Sequence, residues 1–516
     1  MNLVKKSLLI GLTLPLSACI SMDPDFKQPA PELTDKWSQP ITTETSAPDA
    51  IELKASSSSA TQQEEWWKVF KDPILDQLVE TALQQNKSLE IAGLRILEAQ
   101  AQLGIATGNL YPQAQVLQGA ATRVSPANGG KNFSSYSLGV AASWEIDFWG
   151  RFDSAIKSAD ASFMSSVAAR NEAIVILAAQ VVDTYAVIRI TEEQLRIANE
   201  NEILQQRSYE IASVLYRNGS DSELDVEQAK TLLLSTQSTI PGFKISLVKA
   251  RNAMSILLGK PPGAVEKIIN KDKPIPNLPA QVEIGIPADL LRQRPDVQQA
   301  EYLAMAQNSL VGVAEAALYP SFSLTGSVGL SAGGVGAGSS SFGDLFEHDA
   351  LSYSFGPSFV WPFLNYERIV NNVRVQDARL QQALVNYQQT VIQAAREVED
   401  EVATLNGTQE QVGLLMQTVE SAKRSNVLST LQYKEGLSDY QRVLDAQRAL
   451  FSQQQNLVNA EGSRARSLIA LFKALGGGWQ QQSDRPIISD ESINQMNDRT
   501  NWGDFLEPEN LTATDK

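Results

Sequence analysis

The chain states much of itself twice, at two different spacings. Leu110-Tyr111-Pro112 returns as Leu318-Tyr319-Pro320 and Gly104 as Gly312, an offset of 208 residues. Further on, Ser137-Leu138-Gly139 with Trp144 returns as Ser354-Phe355-Gly356 with Trp361, and Arg151 as Arg368, an offset of 217. One loop between these markers is therefore nine residues longer in the second copy. The later offset holds far downstream: Tyr216-Arg217-Asn218-Gly219 pairs with Tyr433-Lys434-Glu435-Gly436, and Ala229 with Ala446. A repeat of about 200 residues is too long for a solenoid unit and points to one body built from two pseudo-symmetric halves.

Composition removes several functions. A net charge of −16 over 516 residues disfavours a nucleic-acid partner, because a phosphate backbone needs a basic face. With one histidine, His348, and one cysteine, Cys19, counting excludes disulfide frameworks and Cys/His metal sites and leaves catalysis without its usual base. No constellation supports an enzyme or a cofactor. The acidic run Glu397, Glu399, Asp400 and Glu401 falls in a helical pattern and reads as a solvated face. Gly333-Gly334-Val335-Gly336-Ala337-Gly338 lacks a lysine and joins two strand patterns, so it reads as a hairpin loop and not as a phosphate cradle.

The single cysteine ends a secretory pattern. Lys5 and Lys6 precede a largely apolar stretch from Ser7 to Leu16, and Leu16-Ser17-Ala18-Cys19 follows. The stretch is too short to span a bilayer. Leu-Ser-Ala-Cys resembles a bacterial lipobox, which implies that Cys19 is the lipidated first residue of the mature protein, carrying a diacylglycerol and an N-acyl chain. The alternative is an ordinary signal peptide with an incidental cysteine. Ile20 is not the aspartate that tends to retain lipoproteins at the inner membrane, so the resemblance favours the outer membrane. An anchor of this kind supports membrane residence without establishing a span.

After residue 20 no run of 18 or more uncharged apolar residues occurs, so any later crossing is made by strands. From Tyr136 to Phe148 the even positions include Leu138, Val140, Trp144 and Ile146 while the odd ones are Ser137, Gly139, Ala141, Ser143, Glu145 and Asp147. That is a period of two. The repeat mate from Ser352 to Phe363 alternates likewise, as does the arm beginning at Phe322; the arm after Pro112 is the weakest. Each has the length of a tilted bilayer-crossing strand, about 9 to 11 residues. A soluble four-stranded sheet with one buried face is the alternative. In lipid, four strands leave two unpaired edges, so a membrane reading requires oligomerisation.

The remainder is long helix. Arg151 to Asn218 contains neither Gly nor Pro. Within it Ile174, Val181, Ile188 and Leu195 recur every seven residues, and Val391, Val398, Leu405 and Val412 repeat the stripe in the second copy. Such heptads pack helices side by side as a coiled coil. Both long helices stop at a glycine, Gly219 and Gly436, before a returning helix. The divisions are residues 1–18 as signal peptide, 19–63 as lipidated leader, 64–258 as first repeat, 259–287 as a proline-rich bridge, 288–477 as second repeat and 478–516 as tail. Neither terminus shows a helix or strand pattern of its own.

These residues resemble a known family. Trp66-Trp67-x-x-Phe70-x-Asp72-Pro73-x-Leu75-x-x-Leu78, Arg294-Pro295-Asp296-Val297-x-x-Ala300-Glu301, Leu444-Asp445-Ala446-Gln447-Arg448 and Leu475-Gly476-Gly477-Gly478-Trp479 are similar to motifs of the TolC-like outer-membrane factors, specifically their NodT-type lipoprotein branch. The resemblance covers essentially everything after Cys19. It implies a mainly α fold with membrane β: a homotrimer in which four strands per chain close a 12-stranded barrel, with coiled-coil helices forming a periplasmic α-barrel and an equatorial belt around it. It implies an exit duct for small molecules or drugs, docked at the helix tips near Gly219 and Gly436 onto a periplasmic adaptor and an inner-membrane pump. Metal-ion efflux and protein secretion are alternatives within transport, and a non-conducting lipoprotein scaffold is an alternative outside it.

The family narrows its tunnel near the tips with inward aspartates tied by charged and tyrosine contacts. Asp445 matches the aspartate of the Leu-Asp-Ala motif and is the candidate for a ring of three carboxylates, which would favour cations. Some relatives carry a second aspartate three residues earlier, where this chain has Arg442. That departure makes Arg442 a candidate tie to Asp225, its repeat mate, with Tyr433 joining them.

Overall fold

The structure, a computed structural model, describes residues 22, 24–30, 37–38, 51–55, 64–125, 132–269, 274–276, 278–284, 292–333, 341–480 and 486–507. Cys19 and the rest of the signal pattern lie outside the described residues.

In chain order the main elements are β1 (Glu52–Ala55), α1 (Pro73–Gln85), α2 (Lys87–Gly108), β2 (Ala114–Val124), β3 (Phe133–Ile146), α3 (Arg151–Arg217) and α4 (Glu223–Leu257). There follow β4 (Gln281–Ile284), α5 (Pro295–Ala316), β5 (Ser321–Ala332), β6 (Leu351–Val360), α6 (Arg368–Lys434), α7 (Tyr440–Ala474) and α8 (Asp490–Arg499). The two offsets of the sequence carry over to the element boundaries. Helix α2 maps onto α5 at 208, α3 onto α6 and α4 onto α7 at 217. The extra loop of the second copy lies between β5 and β6, where short 3-10 turns at Phe342–Phe346 and His348–Ala350 sit.

The chain divides into two compact units. The first, built on residues 96–165 and 300–387, holds an antiparallel sheet of order β2-β3-β5-β6. Its register sets Leu117, Val140, Val328 and Tyr353 in one cross-strand row, with Leu138, Leu330 and Leu351 in the next. Side chains alternate across a strand, so these rows share one face and the opposite face takes Ser137, Ser143, Ser327, Thr325, Ser352 and their neighbours. One face is thus apolar and the other small and hydroxyl-rich. The apolar face is uncovered: Tyr353 is 82% exposed, and Leu117, Phe355 and Phe359 are also exposed. At the foot of the sheet, Trp149 stacks on Tyr319 with centroids 4.6 Å apart and donates its indole N–H to Pro320 O at 2.8 Å.

The second unit, built on residues 30–95, 166–299 and 388–516, is helical. Its core includes Ile174, Val181 and Ile188 of α3 with Val398 and Leu405 of α6, so the heptad stripes are buried seams. Three of the sequence motifs meet here. Trp66 stacks on Phe472 at 5.1 Å, and a Cβ on Gly478 would come within 3.2 Å of the Trp66 indole. Asp72 caps α1 by accepting from Ile74 N at 3.0 Å and accepts the Tyr185 hydroxyl at 2.5 Å. Arg294 donates to Ala474 O at 2.5 Å and pairs with Asp296 and Glu397. These motifs lock the core of the helical unit; truncating an aromatic such as the buried Trp66 would cost about 3–5 kcal/mol.

Two expectations need correction. The leader and tail do carry regular structure: β1 pairs in parallel with β4 of the bridge, and α8 lies in the tail, capped by Ser489. β1 spans four residues, too few to show a period, although Ile51 and Leu53 are buried around exposed Glu52. Strand β3 starts three residues earlier than the Tyr136 expected and ends at Ile146, and β6 ends at Val360, ahead of Pro362, which has no N–H to pair. Helix α3 also contains an 18-residue window of high mean hydropathy, but 61% of it is buried inside the protein, so its apolarity belongs to the core and the expectation of no helical span stands uncorrected.

Candidate functional site

The helix pairs α3–α4 and α6–α7 reverse direction at the two glycines. Gly219 N–H reaches Tyr216 O at 2.9 Å and Ser220 N–H reaches Leu215 O at 2.9 Å; Gly436 and Leu437 repeat this onto Tyr433 O at 3.0 Å and Gln432 O at 2.8 Å. This crossing pair of bonds satisfies the last carbonyls of a helix and requires a left-handed residue, here at φ +74° and +71°. Helix α4 then starts from Ser222, whose hydroxyl accepts from Asp225 N at 3.3 Å.

Behind the turns, Ala212, Ala229, Leu232, Tyr433, Tyr440, Val443 and Leu444 form a small buried cluster. Tyr433 meets Tyr440 edge-on at 5.3 Å. From this apolar seat the Tyr433 hydroxyl donates to Asp221 Oδ2. Asp221 is in turn hydrogen-bonded to Asp225, whose carboxyl also accepts the Ser222 hydroxyl at 2.6 Å. Burial pushes both acids up. At Asp221 the bonds from Asp225, Tyr433 and the Ser222 N–H overcome burial and hold it below the usual aspartate value. Asp225 sits above that value, through burial first and its bond to Asp221 second. The two acids are thus set apart, Asp221 toward its charged form and Asp225 toward its neutral form. Burial, then Asp221, raises the Tyr433 phenol, which stays a donor throughout the physiological range.

The remaining expected residues lie nearby but outside this tie. Asp445 is exposed and accepts from Gln441 at 3.1 and 3.2 Å. Its motif neighbours pack inward: Leu444 is buried, and buried Gln447 donates to Ser208 at 2.6 Å. Arg442 is also exposed, lines an open groove of about 900 Å³ with Glu420, Arg424 and Asp445, and makes no ion pair within the chain among the described residues. Arg442 and Asp225 are not paired in the chain; Asp225 turns to Ser222 and Asp221 instead. Sequence reasoning missed Asp221. Its counterpart in the second copy is Ser438, so the tie breaks the internal symmetry, and a bond spanning 212 residues leaves no local pattern to find.

Residues 78–260 and 286–477 match the family described as outer membrane efflux protein, one segment in each half of the repeat. The chain belongs to the outer membrane efflux protein family. Among its relatives are the cation efflux system protein CusC of Escherichia coli O6:H1, 30% identical over 91% of this chain and 98% of that protein, and the probable efflux pump outer membrane protein TtgC of Pseudomonas putida KT2440, 30% identical over 93% and 97%. Among solved structures, the outer-membrane channel OprN superposes with a TM-score of 0.79 at 28% identity, covering 90% of this chain and all of that one. CusC superposes at 0.75 and 28%, covering 89% and 100%. This efflux protein is accordingly an outer-membrane channel with the TolC-like fold, its helices on the periplasmic side.

Proposed function

We propose that three copies close one conduit through the outer membrane, fed with small molecules by an inner-membrane pump through a periplasmic adaptor. The observation that carries this reading is the sheet itself: β2 and β6 are unpaired edges, and the same four strands present an uncovered apolar face. In hydrocarbon each unsatisfied backbone group costs several kcal/mol, so β6 of one copy must pair with β2 of the next until the cylinder closes. The apolar face then meets lipid and the Ser/Thr/Gly face lines water, the alternation expected of such barrels.

In the helical unit, the turns at Gly219 and Gly436 are the docking tips, and Asp445, Arg442, Asp225 and Tyr433 form the gate. With three copies, Asp445 supplies a ring of three carboxylates. The exposed, unpaired Arg442 is free to tie to a neighbouring copy. Cys19 carries the acyl chains, a mode of anchoring consistent with a relative named as an outer membrane lipoprotein, SilC of Salmonella typhimurium. Relatives about equally similar are named for cation, antibiotic and solvent efflux, which fits a duct whose cargo is chosen by the pump behind it.

Purified protein in planar bilayers tests the proposal. A trimer with unitary conductance that rises when Asp445 and Arg442 are changed to Ala is expected. A water-soluble monomer, or a trimer that never conducts even with both changes, would leave the scaffold reading in its place. Cys19→Ser should abolish lipidation yet leave trimers in the membrane, because strand closure holds them there.

A further inference from the structure

One cavity of the helical unit, lined also by Glu90 and Asp490, holds a buried guanidinium that makes no ion pair among the described residues. It has a volume of about 320 Å³ and is walled by Leu83, Asn86, Leu89, Arg170, Ile174 and Ile487. Arg170 is 3% exposed, and its Nε and Nη1 have no hydrogen-bond partner among the described residues. Burial alone pushes this guanidinium down to about 10. A buried cation left in this state is costly, and a polar group of this kind calls for an explanation. Two polar groups of the wall, Asn86 and Glu90, are already engaged. Asn86 accepts from Leu89 N at 3.0 Å and donates to Leu257 O at 2.9 Å. The Glu90 carboxylate is held by Ser489, by Ser492 at 2.7 Å and by Lys87 at 2.9 Å, which together overcome its burial and bring it down to about 2.

We propose that this cavity binds a small aliphatic monocarboxylate, its carboxylate on the Arg170 guanidinium and its alkyl chain against Leu83, Leu89, Ile174 and Ile487. The planar fork of an arginine matches a carboxylate with two parallel hydrogen bonds. The branched apolar walls suit a short hydrocarbon, and the volume lies at the lower end of small-ligand sites. Glu90 and Asp490 on the wall oppose a multiply charged anion such as phosphate.

Calorimetric titration of sodium butyrate into the full-length protein in detergent, at fixed ionic strength, is the test. Saturable binding of one butyrate per chain is expected. Arg170→Met, which removes a lone buried cation and should not impair folding, weakens binding roughly tenfold or more. Ile487→Trp, which fills the cavity and leaves the arginine in place, does the same, and n-butylammonium chloride gives no saturable signal. Absence of butyrate binding in the unaltered protein, equal affinity in Arg170→Met, or inorganic phosphate binding as tightly as butyrate would each overturn the assignment.

Discussion

The phenol of Tyr433 and the carboxylate of Asp221 hydrogen-bond across two helix turns that lie 212 residues apart in the chain. The bond belongs to the end of α6 and the start of the α4 turn, so it holds the two helix pairs of one chain together at their tips. Tyr433→Phe keeps the edge contact with Tyr440 and removes only the hydroxyl. It should cost about 1 kcal/mol locally. The expected outcome is a higher open probability in planar bilayers and faster amide exchange at both turns. Unchanged gating with faster exchange would detach this bond from closure.

Proton linkage at the same place has two limbs. Asp221 lies below its ordinary value, so its contribution is present above the unfolded aspartate value of about 3.9 and is lost as pH falls through the lower folded value. Asp225 lies above its ordinary value, so it does the reverse: as pH rises through its folded value it loses its proton and the two carboxylates repel. The tie is strongest between those two values. Channel leak measured against pH should rise on both sides of that window, and Asp225→Asn, which bonds Asp221 without needing a proton, should flatten the alkaline limb.

Much of this architecture is written in the repeat. Trp144 donates to Leu110 O at 3.1 Å, and Trp361 donates to Leu318 O at the same distance. Leu318 is offset by 208 and Trp361 by 217, so one bond is preserved across a loop nine residues longer, and the duplicated markers were markers of contact. The long helices were legible for local reasons: heptad stripes, an absence of glycine and proline in α3, and a glycine after each end. The β1–β4 pairing was not, because strands of four residues separated by more than 200 gain their stability from the core around Leu53 and Val282, not from local pattern. The short helix α8 had a signal, Ser489 followed by Asp490 and Glu491, but it lay in a tail without hydrophobic period. Asp445 stands out from its motif as a candidate and its role belongs to the proposal above; Asp221 became visible only when the fold set it against Tyr433.

Glycines that share a positive φ should differ in cost. At Gly436 a Cβ would meet no atom within 4 Å, so Gly436→Ala carries backbone strain alone, about 1–2 kcal/mol. At Gly478, with φ +103°, a Cβ would press on both Trp66 and Trp67 at 3.2 Å, and the indole stacked on Phe472 cannot yield freely. Gly478→Ala should add an overpacking cost of about 1–3 kcal/mol to the strain. Thermal melting of the assembled protein should therefore separate the two variants, with Gly478→Ala the less stable.

The charge at the tips should set ion preference. Asp445 is exposed on the chain, with Gln441 four residues before it as its hydrogen-bond donor, and Arg442 lines the same groove, making no ion pair among the described residues. In the proposed threefold assembly each substitution at these positions acts three times on the proposed gate. Asp445→Asn removes three negative charges and should move the reversal potential in a potassium chloride gradient away from the cation-selective limit; Arg442→Ala should move it the other way. Both shifts should shrink as salt rises, because at 1 M the screening length falls to about 3 Å. A reversal potential that ignores both substitutions at low salt would place the selective constriction elsewhere in the conduit.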